Sequence, residues 1–136
     1  MDLTAVQVAA VGAAILVTGV AMFQAALALG LALGGATFGG RAPHVDGVLT
    51  AGFRAVAGAS AIVLLAIAWL VLARAGVVAR GPVEDGVVVG ATWVVLVFLV
   101  LNTVGNFSAP HPVERWVMGP VTLAVAALVA VVATRA

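Results

Sequence analysis

Residues 3–40 read LTAVQVAAVGAAILVTGVAMFQAALALGLALGGATFGG, a run that contains no charged side chain. A helix over the whole run would be about 57 Å long at 1.5 Å per residue, whereas the hydrocarbon core of a bilayer is about 30 Å thick. The helix must therefore end early, and the glycines that begin at Gly30 indicate where. We predict a first helix over 4–30, followed by an apolar, glycine-rich loop at the membrane interface.

The composition of the whole chain is typical of a membrane protein. Apolar residues make up 65% of the 136 residues and charged residues 8%, whereas soluble domains average about 45–50% and about 25%. Such a composition excludes intrinsic disorder, and a net charge of +1 provides no basic patch for nucleic acid. Cysteine is absent, which excludes disulfides, thiol catalysis and cysteine-based metal sites.

Three further apolar segments have the length of a membrane span, namely 49–72, 86–105 and 113–134. Asp46 stands before the second helix, where an acidic residue is a common start signal. Pro120 lies too deep in the last helix to be a first-turn proline, so we expect a bend there. The sequence therefore predicts an all-α transmembrane four-helix bundle without β structure.

We expect the bundle to form a single domain over residues 1–136. Four spans place both termini and the loop between helices 2 and 3 on one side of the membrane. That side carries three arginines against two on the other, if Arg54 is counted as intramembrane. The positive-inside rule then predicts cytoplasmic termini, although counting Arg54 gives a tie and leaves dual topology open.

The two halves of the chain share a short pattern. Phe23–Gly30 and Phe98–Gly105 both read F-x-x-x-[LN]-x-x-G, and each is followed by Ala-Pro-His, at 42–44 and at 109–111. The pattern is consistent with two related helical hairpins in parallel orientation, repeated about an axis along the membrane normal. Chance similarity in a chain rich in alanine, glycine and valine is the alternative.

Polar side chains within the spans gather at one level of the membrane. These side chains belong to Gln24, Arg54, Asn102 and Asn106, and Glu114 opens the last helix at the same level. Because neighbouring helices alternate in direction, all five lie near the side of loops 1–2 and 3–4. Polar groups inside the membrane are costly and often functional. We therefore predict a ligand-binding or polar cluster made of these five residues.

Arg54 is the most costly member of this cluster, because a charge in lipid must snorkel to the interface or pair with another charge. Glu114 is its first candidate partner and Asp46 the second, and we predict a salt bridge of about 4 Å or less to Glu114. A snorkelling side chain without a functional role is the alternative.

The two asparagines lie one helical turn apart on one face. Amide hydrogen bonds between helices stabilise membrane bundles by about 0.6–2 kcal/mol each, and Gln24 is a candidate partner for Asn102 and Asn106. The alternative is that they line a pocket for a ligand head group.

Second-tier candidates lie in the loops above the cluster. His44, Asp46, His111 and Glu114 would make a two-histidine, two-carboxylate zinc set. Both histidines adjoin prolines in turns, and both carboxylates suit helix N-termini, so we expect no metal. The glycine segment 34–40 lacks the ending of a phosphate-binding loop and no predicted strand precedes it, so we expect no cofactor.

Several short motifs resemble one known family. They are Leu101–Ser108 (LNTVGNFS), Val113–Thr122 (VERWVMGPVT), Phe23-Gln24, Gly39-Gly40 and Arg54. Over most of its length the chain resembles an uncharacterised family of small bacterial four-helix integral membrane proteins. The resemblance implies a four-span fold in the bacterial plasma (inner) membrane and supplies no activity. The stretch at 42–44 departs from the family pattern.

Three classes of function compete. The first is a small binding or transport module, in which the arginine would suit an anionic or polar ligand or a lipid head group. The second is an accessory or structural subunit, in a homo-oligomer or a larger membrane complex. The third, an intramembrane enzyme that uses Glu114 or a histidine, is the least favoured, because nothing orients a nucleophile or base at a readable spacing. Membrane lipid is the expected partner in each case, and nucleic acid is not.

Overall fold

The computed structural model describes residues 3–136, and the four predicted spans are all present as helices. They are α1 (Ala5–Ala28), α2 (Ala51–Arg74), α3 (Asp85–Ser108) and α4 (Gly119–Arg135), with a π-helical turn at Glu114–Met118 directly before α4. With that turn included in the last span, each is long and apolar enough to cross a membrane. The predicted all-α membrane bundle is confirmed, and the chain is a multi-pass membrane protein.

The start of α1 is held by a reciprocal pair of hydrogen bonds. The Thr4 hydroxyl accepts from the backbone N–H of Gln7, and the Gln7 side chain accepts from the backbone N–H of Thr4. This capping box satisfies two of the free N–H groups at a helix start. At the other end, Gly30 takes a φ of +108°, which ends the helix where the sequence predicts it.

The connection between α1 and α2 contains a small hairpin, so the prediction that the protein has no β structure is wrong. Strand β1 (His44–Val45) pairs antiparallel with β2 (Val48–Leu49). Between them, Asp46 and Gly47 have φ values of 50° and 82°, and two positive values are what a type I′ turn requires. Asp46 is therefore a turn residue, and Thr50 is the residue at the start of α2.

We call residues 29–50 the plug, because they fold compactly across one end of the bundle. Its glycine-rich part forms two short 3₁₀ turns, at Gly34–Ala36 and Phe38–Gly40. The Phe38 ring packs edge-on against Phe53 of α2, with the ring centres 5.6 Å apart. Leu49 is buried with Leu27 of α1 in a small apolar cluster. The glycine-rich loop is thus an ordered element of the bundle.

The half of the bundle away from the plug has a core of closely packed apolar side chains, and we call it the packed half. It contains small side chains of α1 against larger ones of α2 and α4, including the fully buried Ala10, Ala13, Val71 and Val129. Small residues allow membrane helices to approach closely. The Arg74 guanidinium donates to the backbone carbonyl of Ala136, so the end of α2 lies beside the described C-terminus.

Irregular helical geometry appears where Pro120 predicts a bend. The backbone N–H of Gly119 donates to the carbonyl of Glu114, five residues back. Proline has no N–H and crowds the preceding turn, and single π turns often mark functional sites. The widened turn directly precedes Pro120 and carries Glu114.

The two helical hairpins are unequal. Helix α2 packs mainly against α1, and α3 mainly against α4, while α2 and α3 contact each other little. The connection from α1 to α2 is the plug, whereas residues 109–113 suffice to connect α3 to the π turn. The sequence repeat stays a prediction, and the two loops that carry the Ala-Pro-His copies differ in length and in fold.

Candidate functional site

A cavity of about 670 Å³ lies at the plug end of the bundle. Pockets for small organic ligands typically measure about 300–1,000 Å³. All four helices, the π turn and the plug contribute to its wall. Its polar lining residues are Gln24, Thr37, Ser60, Asn102, Asn106, Glu114 and Thr122, and the other lining residues are apolar or glycine. The structure therefore gathers four of the five residues of the predicted cluster around one space.

Glu114 is the most unusual group in this wall. Its side chain is only 5% exposed, and Oε1 accepts a 3.0 Å hydrogen bond from the backbone N–H of Gly39 in the plug. Its second oxygen, Oε2, is buried and has no hydrogen-bond partner. An unsatisfied buried polar group costs about 1–3 kcal/mol, and more if it is charged. The carboxyl group thus anchors the plug with one oxygen, while its other oxygen has no partner among the described residues.

Gln24 of α1 likewise has one polar atom bonded to the plug and one without a partner. Its Nε2 donates to the hydroxyl of Thr37, at 3.2 Å, while Oε1 is buried without a partner. The bond ties α1 to the plug, and Gln24 does not bond to either asparagine. Two side chains that hold the plug therefore each keep one free acceptor.

The two asparagines have different environments. Asn106 is buried, and its Nδ2 donates to Thr122 Oγ1 at 3.2 Å, which joins α3 to α4. Thr122 in turn donates to the backbone carbonyls of Met118 and Gly119. Asn102, one turn earlier, is half-buried and lines the cavity. Asn106 therefore acts as interhelical glue, while Asn102 faces open space.

The predicted salt bridge between Arg54 and Glu114 is wrong. Arg54 Nε donates a 2.8 Å hydrogen bond to the carbonyl of Ala28, the last residue of α1. Carbonyls at a helix C-terminus carry partial negative charge and lack helical partners, so they satisfy a nearby guanidinium. Arg54 does not line the cavity. Among the described residues, the one ion pair joins Arg80 to Asp85, in the exposed turn before α3.

The two loop histidines approach each other without forming a metal site. A Cβ placed on Gly35 would lie 3.8 Å from His44 Cε1 and 3.5 Å from His111 Cδ2. His44 Nδ1 is bonded to the carbonyl of Ala42, and His111 Nδ1 accepts from the N–H of Val113. Within residues 3–136, no three of the histidine and acidic side chains come together as metal ligands. Both imidazoles hold local loop structure.

Helices α2 and α3 contact each other little, and both contribute exposed side chains to the cavity wall. The lining residues Val56, Val63 and Phe98 are 45%, 56% and 47% exposed on the outside of the bundle. In a bilayer this outside surface faces lipid, while the plug covers the end of the bundle. A molecule would therefore reach the cavity from the hydrocarbon region.

An apolar groove lies next to the cavity, against the same two helices. Its volume is about 320 Å³, and Val63 lines both spaces. The groove runs past Ile67 and Trp69 of α2 and Val87 of α3, and every residue that lines it is apolar. Sequence reasoning missed this groove, because the rotation of each helix decides which apolar side chains face a gap.

Comparison with models of known protein families, with curated proteins and with solved structures finds no match. The four-helix architecture that the family resemblance implied stands on the structure itself, while membership of that family stays a prediction. The features that bear on function are the cavity, the groove and the groups that line them.

Proposed function

We propose that this protein binds an amphipathic small molecule taken laterally from the bilayer. The observation that carries the proposal is the shape and polarity of two neighbouring spaces, both lined by Val63. The cavity at the plug end is lined by amides and a carboxyl group, and the other space is an apolar groove between α2 and α3. A polar head fits the cavity, and an apolar chain fits the groove.

The dimensions support a ligand of lipid length. Along α2, lining residues extend from Val56 in the cavity to Leu70 in the groove, a distance of about 21 Å at 1.5 Å per residue. One leaflet of hydrocarbon is about 15 Å thick, half of the bilayer core. The combined length is greater than one leaflet, so a single extended acyl or alkyl chain would fit along cavity and groove and would pass the middle of the bilayer.

The packed half favours binding over transport across the membrane. A transported molecule needs a second opening, and on that side of the bundle the helices are joined by fully buried side chains such as Ala10 and Val129. With both termini in the cytoplasm of a bacterial plasma membrane, as the arginine count favours, the cavity would serve the outer leaflet.

An accessory subunit of a larger complex is the alternative. The apolar gap between α2 and α3 supports it, since a helix of a partner protein, or of a second copy, would pack there. A subunit of this kind gains nothing from an open cavity with unpaired buried acceptors, and for this reason we favour the binding protein.

Fluorescence quenching at Trp69, which lines the groove, tests the proposal. The protein is purified in detergent with Trp93 and Trp116 replaced by phenylalanine, and hexadecanol carrying bromine on its chain is titrated in. Bromine quenches only nearby indoles, so we expect saturable quenching if the chain occupies the groove.

Two glycines of α3 provide a matched pair of variants. A Cβ on either Gly105 or Gly90 would meet no atom within 4 Å, but only Gly105 lines the cavity. We expect Gly105→Leu to weaken quenching about tenfold or more, which corresponds to about 1.4 kcal/mol, and Gly90→Leu to leave it unchanged. Equal, non-saturable quenching in both variants would contradict the proposal.

A further inference from the structure

We infer that the head group bound in the cavity donates hydrogen bonds and carries no negative charge, with Glu114 Oε2 and Gln24 Oε1 as its acceptors. This inference rests on the proposed function and names the chemistry of its ligand. Both oxygens belong to side chains that line the cavity, and both are buried without partners. A head group that donates to them removes the cost of two unsatisfied acceptors.

Most polar side chains in the cavity wall already donate one hydrogen bond within the protein. Asn106 Nδ2 donates to Thr122, and Gln24 Nε2 donates to Thr37. The hydroxyls of Ser60 and Thr122 donate to carbonyls of their own helices. The N–H of Gly39 is bonded to Glu114 Oε1. Each side-chain amide keeps a second N–H, so the preference for a donating head group rests on the two buried oxygens that have no partner.

The charges around the cavity point the same way. Among the residues that line it, Glu114 is the one ionisable side chain. Arg54 is bonded to Ala28 outside the cavity, and Arg41 is exposed in the plug. A carboxylate or phosphate head would meet the acceptor oxygens of Glu114 and Gln24 without a cation among the lining residues. An ammonium or hydroxyl head meets an acceptor instead, so the anionic ligand that Arg54 suggested in the sequence is disfavoured.

The test compares three brominated probes that share one chain length, namely hexadecylamine, hexadecanol and palmitate, in the Trp69 assay. We expect the amine and the alcohol to bind at least about tenfold more tightly than palmitate, as hydrogen bonds to a charged group allow. Palmitate binding that equals or exceeds theirs, and that Gly105→Leu abolishes, would overturn the head-group assignment and leave the proposed function standing. If no probe binds in a manner that depends on Gly105, both are wrong.

Glu114→Gln separates the two head groups. The glutamine keeps an oxygen for the N–H of Gly39 and replaces the free acceptor by a donor. We expect amine binding to weaken about tenfold and palmitate binding to strengthen. Weaker binding of the alcohol to the same variant would show that a hydroxyl head also donates to Glu114. Glu84→Gln, at the exposed start of α3, is the control and should change no affinity. If Glu114→Gln binds the three probes with unchanged relative affinities, Glu114 does not contact the head group.

Discussion

The packed half and the plug half of this bundle are built by the same four helices, yet they differ in almost every physical property. In the packed half, Ala10 and Ala13 are fully buried, and α1 lies close against α2 and α4. In the plug half, the helices surround a cavity, and buried Glu114 and Gln24 each keep an unpaired oxygen. The difference indicates that one half holds the fold together, while the other contains the groups on which the proposed ligand site depends.

The largest expected effect comes from the plug itself. Gly47 has a φ of +82°, and a Cβ there would lie 2.6 Å from the carbonyl oxygen of Ala32. We expect Gly47→Ala to lower the free energy of unfolding by more than about 2 kcal/mol, because the left-handed conformation alone costs a residue with a Cβ about 1–2 kcal/mol and the clash adds to it.

Gly76 is the matched control at the other end of the bundle. Its φ is +70°, but a Cβ there would meet no atom within 4 Å. Gly76→Ala should therefore cost only the conformational term, about 1–2 kcal/mol. Unfolding titrations in mixed micelles measure both variants, and equal losses would show that the plug is not tightly packed.

Enlarging an alanine tests the packing difference between the two halves. Ala13 is fully buried in the packed half, whereas Ala59 is exposed and lines the cavity. Because overpacking a tight core costs about 1–3 kcal/mol, Ala13→Leu should destabilise by that amount. Ala59→Leu should stay within about 0.5 kcal/mol of the parent. Similar losses would mean that the cavity closes in solution. The same unfolding titration gives both numbers.

The two asparagines sharpen the comparison within the plug half. Asn106→Leu breaks the bond to Thr122, and hydrogen bonds between membrane helices average about 0.6 kcal/mol and reach about 1.7 kcal/mol. Asn102→Leu should cost less than about 0.5 kcal/mol but weaken quenching by the brominated alcohol. Thermal unfolding and the Trp69 assay separate the two effects, and the reverse order of stabilities would contradict the assignment.

Glu114→Gln is the variant for which we expect no loss of stability. The variant keeps the bond to Gly39 and removes a carboxyl oxygen that has no partner. We expect stability to stay equal or to rise by up to about 1 kcal/mol, since ligand sites commonly reduce stability. A loss above about 2 kcal/mol in thermal unfolding would indicate that Glu114 has a protein partner after all.

The sequence predicted the helices well because their signals are local. Long apolar runs and the glycine after α1 determine where spans begin and end. The Asp46-Gly47 pair between two valines is an equally local hairpin signal. It competes with the interpretation of Asp46 as a helix start signal, and the structure shows that the hairpin is correct. With the turn included, the plug is predictable from its glycines and from this pair.

The arrangement of the site depended on longer-range contacts. The common level of Gln24, Asn102, Asn106 and Glu114 follows from counting residues along antiparallel helices. The partner of Arg54 does not, because a helix-end carbonyl competes with a carboxylate and their distances are set by packing. The exposure of the cavity wall at Val63 likewise depends on the rotation of α2 and α3, which nearly uniform apolar sequences leave undetermined.

The most direct measurement is an experimental density map of the protein purified in lipid nanodiscs. We predict an elongated density whose head lies within hydrogen-bond distance, about 3 Å, of Glu114 and Gln24, and whose tail runs between α2 and α3 past Trp69. Two results would contradict the account. One is a closed gap between α2 and α3, with Glu114 bonded to Arg54. The other is a ligand bound instead at the turn between Arg74 and Asp85.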